Sequence, residues 1–491
     1  MADRRARVLV ALVLTMGLAA MDTTIVATAL PSVVADLGGQ HLFAWVFSTY
    51  LLAQTVTIPL YGKLADLYGR KPVLIAGVAT FLAASAACAA APSMLALIVF
   101  RGIQGLGAGS IQATVATVAG DLYSIAERGR VQGWLSSVWG ISALVGPAAG
   151  GLFSQYVSWR WIFLINLPLG GFALWMLVRH LTERIERKKH RIDYAGAALV
   201  LGATAALIVG LLSGGSRWPW LSAPSLAVFG VAAVLVGVAV VVERHAAEPV
   251  MPGWLWTRRT LVGANLTMVV LGLIVIGMNT VLPTYAQQVS GLSPTAAGFV
   301  LAAMSITWPI SSSLSNRLYL RIGFRDTALA GTLLVVLATG VLVLVPASGP
   351  AWQLVVATVV MGGGFGLMST SMLVGTQSTV RYGRRGVVTG GTMFGRYLGQ
   401  SIGAAVYAAI SNASLTAALA QPVPGLGPLP DQVDGIGRIL AADPGSAVAR
   451  YLRTAVHDAS HQVFLALLGT AVLGVACVLI APRRFPVVED R

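Results

Sequence analysis

Charge is what this chain has least of. Only 10% of its 491 residues are Asp, Glu, Lys or Arg, where a soluble domain carries about 25%. With 56% of residues hydrophobic, no arrangement of so few charges keeps the chain in water, and the bilayer is its expected solvent. Cysteine is nearly absent too. Cys88 and Cys477 both lie inside apolar runs, which excludes a disulfide framework or a thiolate metal site. The six histidines are scattered, and there is no Walker loop, metal-spaced His/Cys cluster or serine-hydrolase elbow. The chain is therefore read as no enzyme, with no metal and no cofactor. Work must come from an ion gradient, in which one charge crossing 100 mV supplies about 2.3 kcal/mol and each pH unit about 1.4 kcal/mol.

What is present is a series of apolar runs of roughly 20 residues, each long enough for a hydrocarbon core of about 30 Å. About fourteen are expected, centred near Met16, Ala53, Ala83, Gly105, Ala143, Gly170, Ala205, Ala233, Leu273, Met304, Leu337, Gly363, Gly399 and Leu473. The first run, behind Arg4, Arg5 and Arg7, has the outline of a signal peptide. It continues through Asp22 to Pro31, however, and is read as a span.

The formal net charge of +15 is no sign of nucleic acid, because the cations fall in short clusters between apolar runs. With a cytoplasmic N-terminus, the inside segments hold Lys63, Arg70 and Lys71, Arg128 and Arg130, the stretch from Arg179 to Arg191, Arg244, Arg258 and Arg259, Arg317, Arg321 and Arg325, Arg381, Arg384 and Arg385, and Arg483 and Arg484. Outside segments hold only Arg160, Arg217, Arg438, Arg450 and Arg453. Cationic loops resist translocation, so both termini are expected in the cytoplasm of a multi-pass protein of the inner (plasma) membrane.

Two non-membrane stretches stand out: the basic TERIERKKHR after the sixth span, which separates two bundles, and a long outside loop from about Asn412 to Ser460 that contains QPVPGLGPLP. The sequence also repeats. LYGKLADLYGRKPVLIAG from Leu60 aligns without a gap to LSNRLYLRIGFRDTALAG from Leu314, with Gly69 on Gly323, Lys71 on Arg325 and Gly77 on Gly331, an offset of 254 (323 − 69). Parallel repeats about an axis along the membrane normal give an all-α polytopic fold of two pseudo-symmetric six-helix bundles plus a two-helix insert. The expected division is 1–191, the insert 192–256, and 257–491.

The most specific motif is the loop GKLADLYGRK, with Gly62, Lys63, Asp66, Gly69, Arg70 and Lys71. Its glycines permit a tight turn and close helix approach, while Asp66 is suited to cap a helix or pair with a cation across the bundle. This loop resembles that of the major facilitator superfamily. MDTTIVATALP, RGIQGLGAG, GPAAGG and WRWIFLINLP in the first half, and FGRYLGQSIG in the second, resemble its fourteen-span drug:proton antiporter branch. The second loop copy has Leu320 where Asp66 stands in the first, so a cytoplasmic gate is expected to be asymmetric.

Asp22 lies mid-span, and an intramembrane carboxylate is a functional candidate by default. Arg101 is likewise flanked by apolar residues. Gln104, Ala108 and Gln112 follow on one helix face, a polar stripe expected to face a cavity. The resemblance implies that Arg101 serves proton coupling with Asp22, and that Gly146, Pro147, Gly150 and Gly151 form an antiporter motif. Their physics alone gives tight packing with a bend. Arg396 is a second intramembrane cation, beside Tyr397 and Gln400. Trp139, Trp308, Tyr50 and Tyr285 are candidates for an aromatic pocket. No acidic residue falls mid-span in the C-terminal half, which disfavours dicationic substrates and favours neutral, amphipathic, monocationic or anionic ones.

The expected function is proton-coupled export of amphipathic small molecules by alternating access, by a monomer whose partners are lipid, substrate and protons. Export of an endogenous lipid or secondary metabolite uses the same machinery. An uptake symporter and a non-transporting sensor are the further alternatives.

Overall fold

A backbone in hydrocarbon must satisfy its own hydrogen bonds, and helices do so within one segment. The computed structural model describes residues 2–39, 42–183, 193–215, 218–347, 349–420, 429–430, 432–443 and 445–488, and these are predominantly helical. All of TERIERKKHR beyond Glu183, all of QPVPGLGPLP before Leu429, and Arg217 lie outside the described residues.

The first half comprises α1 (Ala2–Leu37), α2 (Phe43–Tyr68), α3 (Arg70–Ala89), α4 (Met94–Leu122) and α5 (Ile125–Tyr156). It closes with α6 (Trp161–Leu164) and α7 (Asn166–His180), which together make one span-length unit. Then come α8 (Tyr194–Ser213), α9 (Ala223–His245) and the short α10 (Trp254–Thr257). The second half has α11 (Arg259–Gln288), α12 (Pro294–Ile322), α13 (Phe324–Val343), α14 (Trp352–Ser378), α15 (Arg385–Leu419), α16 (Ile436–Ala442) and α17 (Ala447–Ile480). Among the described residues 13 units are long and apolar enough to cross a membrane. The 26-residue α2, diluted by Gln54, Thr55, Thr57 and Lys63, is the further long helix that completes the expected set.

Local chemistry sets the helix ends. Ser93, Ser293 and Ser446 accept the amide three residues on, and Ser124 with Glu127 forms a reciprocal capping box. Between α2 and α3 a single residue turns the chain, Gly69 at φ 95°, and the repeat places Gly323 at φ 89° between α12 and α13. That left-handed conformation admits glycine without the Cβ clash other residues suffer, so the repeat seen in sequence is a repeat of turn geometry.

Each half has its own apolar core: Leu74, Phe81, Ile111 and Leu177 in the first, Met268, Phe365, Tyr407 and Phe464 in the second. The halves meet where α2 packs on α15 and α5 on α12, while α8 lies against both α2 and α15. Both ends of the described chain lie on one face. Arg4 Nε donates to the His180 carbonyl at 2.9 Å, and the Val488 amide to the Ser378 carbonyl at 2.8 Å. On this terminal face the halves are packed tightly: residues 111–120 of α4, 368–378 of α14 and 385–395 of α15 are buried without a break. Toward the opposite face α5 becomes largely exposed, while α12 and α15 are mostly half-buried.

One expectation needs correction. The outside segment read as 412–460 is mostly helix, since α15 runs to Leu419 and α17 begins at Ala447. Helix propagation carries both elements past the apolar run that marked them. Between them Ile436 of α16 is buried in the core of the second half.

Candidate functional site

The first half encloses a polar cluster at its centre. Asp22 on α1 and Arg101 on α4 are both 0% exposed, and Asp22 Oδ2 pairs with Arg101 Nη1. Gln104, one turn along α4, donates from Nε2 to Asp22 Oδ1 at 2.9 Å and to Ser85 Oγ of α3 at 3.1 Å. Its Oε1 accepts from Arg101 Nη1 at 2.7 Å. Asn166 at the start of α7 donates to Ser85 Oγ at 2.9 Å and lies 3.5 Å from Asp22 Oδ1. Arg101 Nε donates to the Val46 carbonyl at 3.3 Å, and the Tyr50 ring covers the guanidinium at 4.1 Å. Residues of α1, α2, α3, α4 and α7 thus meet in one cluster, and Arg101, Gln104 and Asn166 reach the carboxylate itself. Arg101 Nη2 and the Tyr50 hydroxyl are buried without partners, so the network retains spare hydrogen-bonding capacity. A charge at such a site is tolerable only while paired, and protonating Asp22 would remove half of that pair.

The second cluster lies at the terminal face and joins the halves. Asp66, near the end of α2, accepts the Gly386 and Val387 amides at 2.8 Å each, where α15 begins. A carboxylate there meets unsatisfied N–H groups and the positive end of the helix dipole. Asp66 also pairs with Arg70 at 2.8 Å. Arg70 reaches Asp121 at the end of α4 at 2.9 Å, and Asp121 in turn holds Arg385 of α15 at 3.0 Å. Arg70 Nη2 donates to the Tyr382 carbonyl at 2.5 Å, with the guanidinium over the Tyr382 ring. Gly62 and Gly386 abut closely, and any Cβ on either would strike the other's carbonyl oxygen. The remaining loop cations point elsewhere: Lys63 pairs with Glu248 beyond α9, and Lys71 Nζ donates to the Val178 carbonyl at 2.9 Å. On the opposite seam Tyr319 Oη donates to the Ile125 carbonyl, and Asn316 Nδ2 to the Ala126 carbonyl at 2.8 Å.

The glycine motif divides. A Cβ on Gly146 would meet Thr24, and one on Gly150 would lie 2.6 Å from the Ile25 carbonyl oxygen, so both glycines set the α1–α5 contact. Gly151 faces open space, with nothing within 4 Å, and takes no part in close packing, contrary to expectation. α5 continues as helix through Pro147.

The cavity candidates separate as well. Gln104 belongs to the Asp22 cluster, whereas Gln112, two turns along α4, is buried with Nε2 unpartnered. Arg396 and Gln400 are half-buried on α15 and Trp139 half-buried on α5. Trp308 lies 5.1 Å from the Arg396 guanidinium and donates to Ser369 Oγ at 3.2 Å. Tyr50 lies on Arg101, and Tyr285 packs against His457 and Phe464, so the four aromatic candidates do not form one pocket.

Sequence reading missed Asp121, Arg385, Glu183, Asn166 and Ser85. Asp121 ends the long fourth span, and its carboxylate was the available signal. Arg385 was absorbed into a loop cluster that explained it by topology alone. Glu183 accepts the Arg70 and Lys71 amides at 2.9 and 2.8 Å, a contact between segments over 100 residues apart that no local pattern encodes.

Residues 12–404 match the family described as Major Facilitator Superfamily. The chain is 31% identical over 490 residues to the multidrug transporter protein MdtP of Bacillus subtilis (strain 168), covering 94% of this chain and 90% of that one. It is 33% identical over 406 residues to multidrug resistance protein 3 of the same organism, covering 82% and 79%. Among solved structures, the human organic anion transporter MFSD10 (TETRAN) superposes with a TM-score of 0.64 at 15% identity, covering 96% of this chain and 99% of that one, a likeness of fold. Taken with the helical architecture, these matches establish that the chain belongs to the major facilitator superfamily, as a multi-pass membrane transporter related to multidrug transporters and efflux pumps.

Proposed function

We propose that the chain is a proton-coupled exporter of amphipathic small molecules, working by alternating access between the halves 1–191 and 257–491. The observation that carries this reading is the Asp22–Arg101 pair, sealed at 0% exposure inside the first half. Asp22 is the proton site and Arg101 its partner. Protonation removes the ion pair, frees Arg101 to reorganise among Gln104, Val46 and Tyr50, and so alters how α1 packs on α4. The Asp66–Arg70–Asp121–Arg385 chain is the latch on the terminal face, and the distribution of cations supports reading that face as cytoplasmic in a plasma-membrane protein. On this reading the arrangement described is closed to the cytoplasm. A potential of 100 mV and one pH unit together give about 3.7 kcal/mol per proton, enough for a gradient of roughly 500-fold.

The test is flux from proteoliposomes under an imposed pH gradient, with ethidium and amphipathic dyes of other charge, for native protein and Asp22→Asn. Gradient-dependent export by the native protein, lost in the variant, is the expected result. Equal flux from both proteins would remove Asp22 as the proton carrier. No flux of any dye would instead turn the reading toward a dedicated exporter of one endogenous compound.

A further inference from the structure

The two intramembrane arginines stand in opposite electrostatic situations. Arg101 has a carboxylate, a side-chain amide and a carbonyl around it. Arg396, on α15, has none of these: its Nε is buried without a hydrogen-bond partner, and among the described residues no carboxylate pairs with it. Its neighbours are rings, Trp308 at 5.1 Å and Tyr397 at 6.0 Å. Of the second half's acids whose side chains are described, Asp326 sits at the start of α13 with Arg325 and Arg483, while Asp443, just after α16, and Asp458, on α17, are exposed. In the first half Asp22 is engaged by Arg101, Asp66 and Asp121 by Arg70 and Arg385, and Asp36 by Arg160, while Glu127 and Glu183 accept backbone amides.

A guanidinium does not lose its proton in a protein, so the uncompensated charge persists through any transport cycle. Aromatic faces relieve part of the desolvation cost without occupying the N–H edge, which remains free to donate to an acceptor. The rings are themselves fixed. Trp308 Nε1 is held by Ser369 and its ring lies 5.0 Å from Phe365 on α14, giving a rigid apolar wall beside a cation. Gln400, one turn along α15 and half-buried, adds a neutral polar group on the same helix face.

We propose that Arg396 and Trp308 form the recognition site for an amphipathic anion, whose carboxylate, sulfonate or phosphate engages Arg396 while its apolar body lies on Trp308. This rests on the transport reading for its consequence, which is that anionic amphiphiles are the preferred cargo, but binding itself is independent of transport. A cation at the same place meets repulsion from Arg396, so the order of preference is anion, neutral, cation.

The experiment uses one scaffold in three charge states: pyrenebutyrate, pyrenebutanol and pyrenebutyl-trimethylammonium, titrated into the full chain in nanodiscs with energy transfer from tryptophan to pyrene as the signal. Pyrenebutyrate should bind at least about ten-fold more tightly than the alcohol, the scale of one charge-assisted hydrogen bond. Arg396→Gln should abolish the difference between acid and alcohol, and Arg396→Lys should restore part of it. Equal binding of the three probes by the native protein, or an acid preference that survives Arg396→Gln, would overturn the proposal. The native measurement stands by itself if Arg396→Gln does not fold. Displacement of pyrenebutyrate by butyrate alone would reduce the site to one for simple anions and overturn the amphiphile. Gradient-driven flux of the same probes separates the two readings: selective binding without flux rejects the transporter cycle and keeps the site, whereas flux without charge preference keeps the cycle and rejects the site.

Discussion

Asp66, at the end of a helix in one half, accepts the Gly386 amide at 2.8 Å where a helix of the other half begins. The contact joins two bodies that must separate for the terminal face to open. Its strength combines charge-assisted hydrogen bonds and the helix dipole, together about 1–3 kcal/mol. Asp66→Asn keeps the shape and removes the charge, so the population should shift by that amount toward opening of the terminal face. With Cys88 and Cys477 replaced by Ser, alkylation of Ala116→Cys, buried between the halves, should accelerate at least about five-fold when Asp66→Asn is added. An unchanged rate would show that the latch resides elsewhere.

The Asp22–Arg101 pair makes a prediction about coupling between residues. Removing one partner leaves a buried charge unpaired, at a cost of about 3–5 kcal/mol, whereas removing both leaves none. Arg101→Gln alone should therefore lower the thermal midpoint in detergent strongly, and the double variant Asp22→Asn/Arg101→Gln should recover at least half of the loss. Gradient-driven transport should stay absent in the double variant. Additive losses of stability would mean that the two side chains do not act as a pair.

The elements that a one-dimensional pattern encodes were legible from the sequence. Apolar length marks a span because the bilayer imposes it, so every expected span centre from Met16 to Leu473 falls within a helix. Gly69 and Gly323 disclosed the repeat because a one-residue turn at positive φ tolerates little else. Asp22 and Arg101 stood out because charge is conspicuous among apolar neighbours. Asp121 and Arg385 did not, since charges at helix ends look ordinary until the partner segment is known. Gly151 was misread for a related reason: spacing identifies a glycine-rich stretch, but which glycine touches a neighbour depends on the rotation of α5 about its axis.

Lys63 and Arg70 share a motif but not an environment, and they should respond differently to neutralisation. Lys63 pairs with Glu248, whose side chain is 31% exposed, and pairs of this kind contribute about 0–1 kcal/mol. Arg70, at 3% exposure, holds both Asp66 and Asp121. Lys63→Gln should leave the thermal midpoint within a degree or two of native, while Arg70→Gln leaves Asp66 only the Gly386 and Val387 amides and Asp121 only Arg385, and should lower it clearly more. Comparable losses from both substitutions would mean that the motif acts through total charge and not through the Asp66–Arg70–Asp121 geometry.

The glycines of α5 give the sharpest contrast, because two of them sit side by side in sequence and face opposite ways. At Gly150 a methyl group would come 2.6 Å from the Ile25 carbonyl oxygen and closer still to Thr28 Oγ1, so α1 must move away from α5. Overpacking of this kind costs about 1–3 kcal/mol, and here it displaces the helix that carries Asp22. At Gly151 the added methyl meets nothing within 4 Å. Alanine should even be favoured there by helix propensity, by about 0.5–1 kcal/mol. Gly150→Ala should thus reduce both stability and gradient-driven flux, while Gly151→Ala retains flux and holds or raises the thermal midpoint. If Gly151→Ala were the more damaging of the two, α5 would have to be rotated about its axis from the orientation described, with Gly151 on the α1 contact.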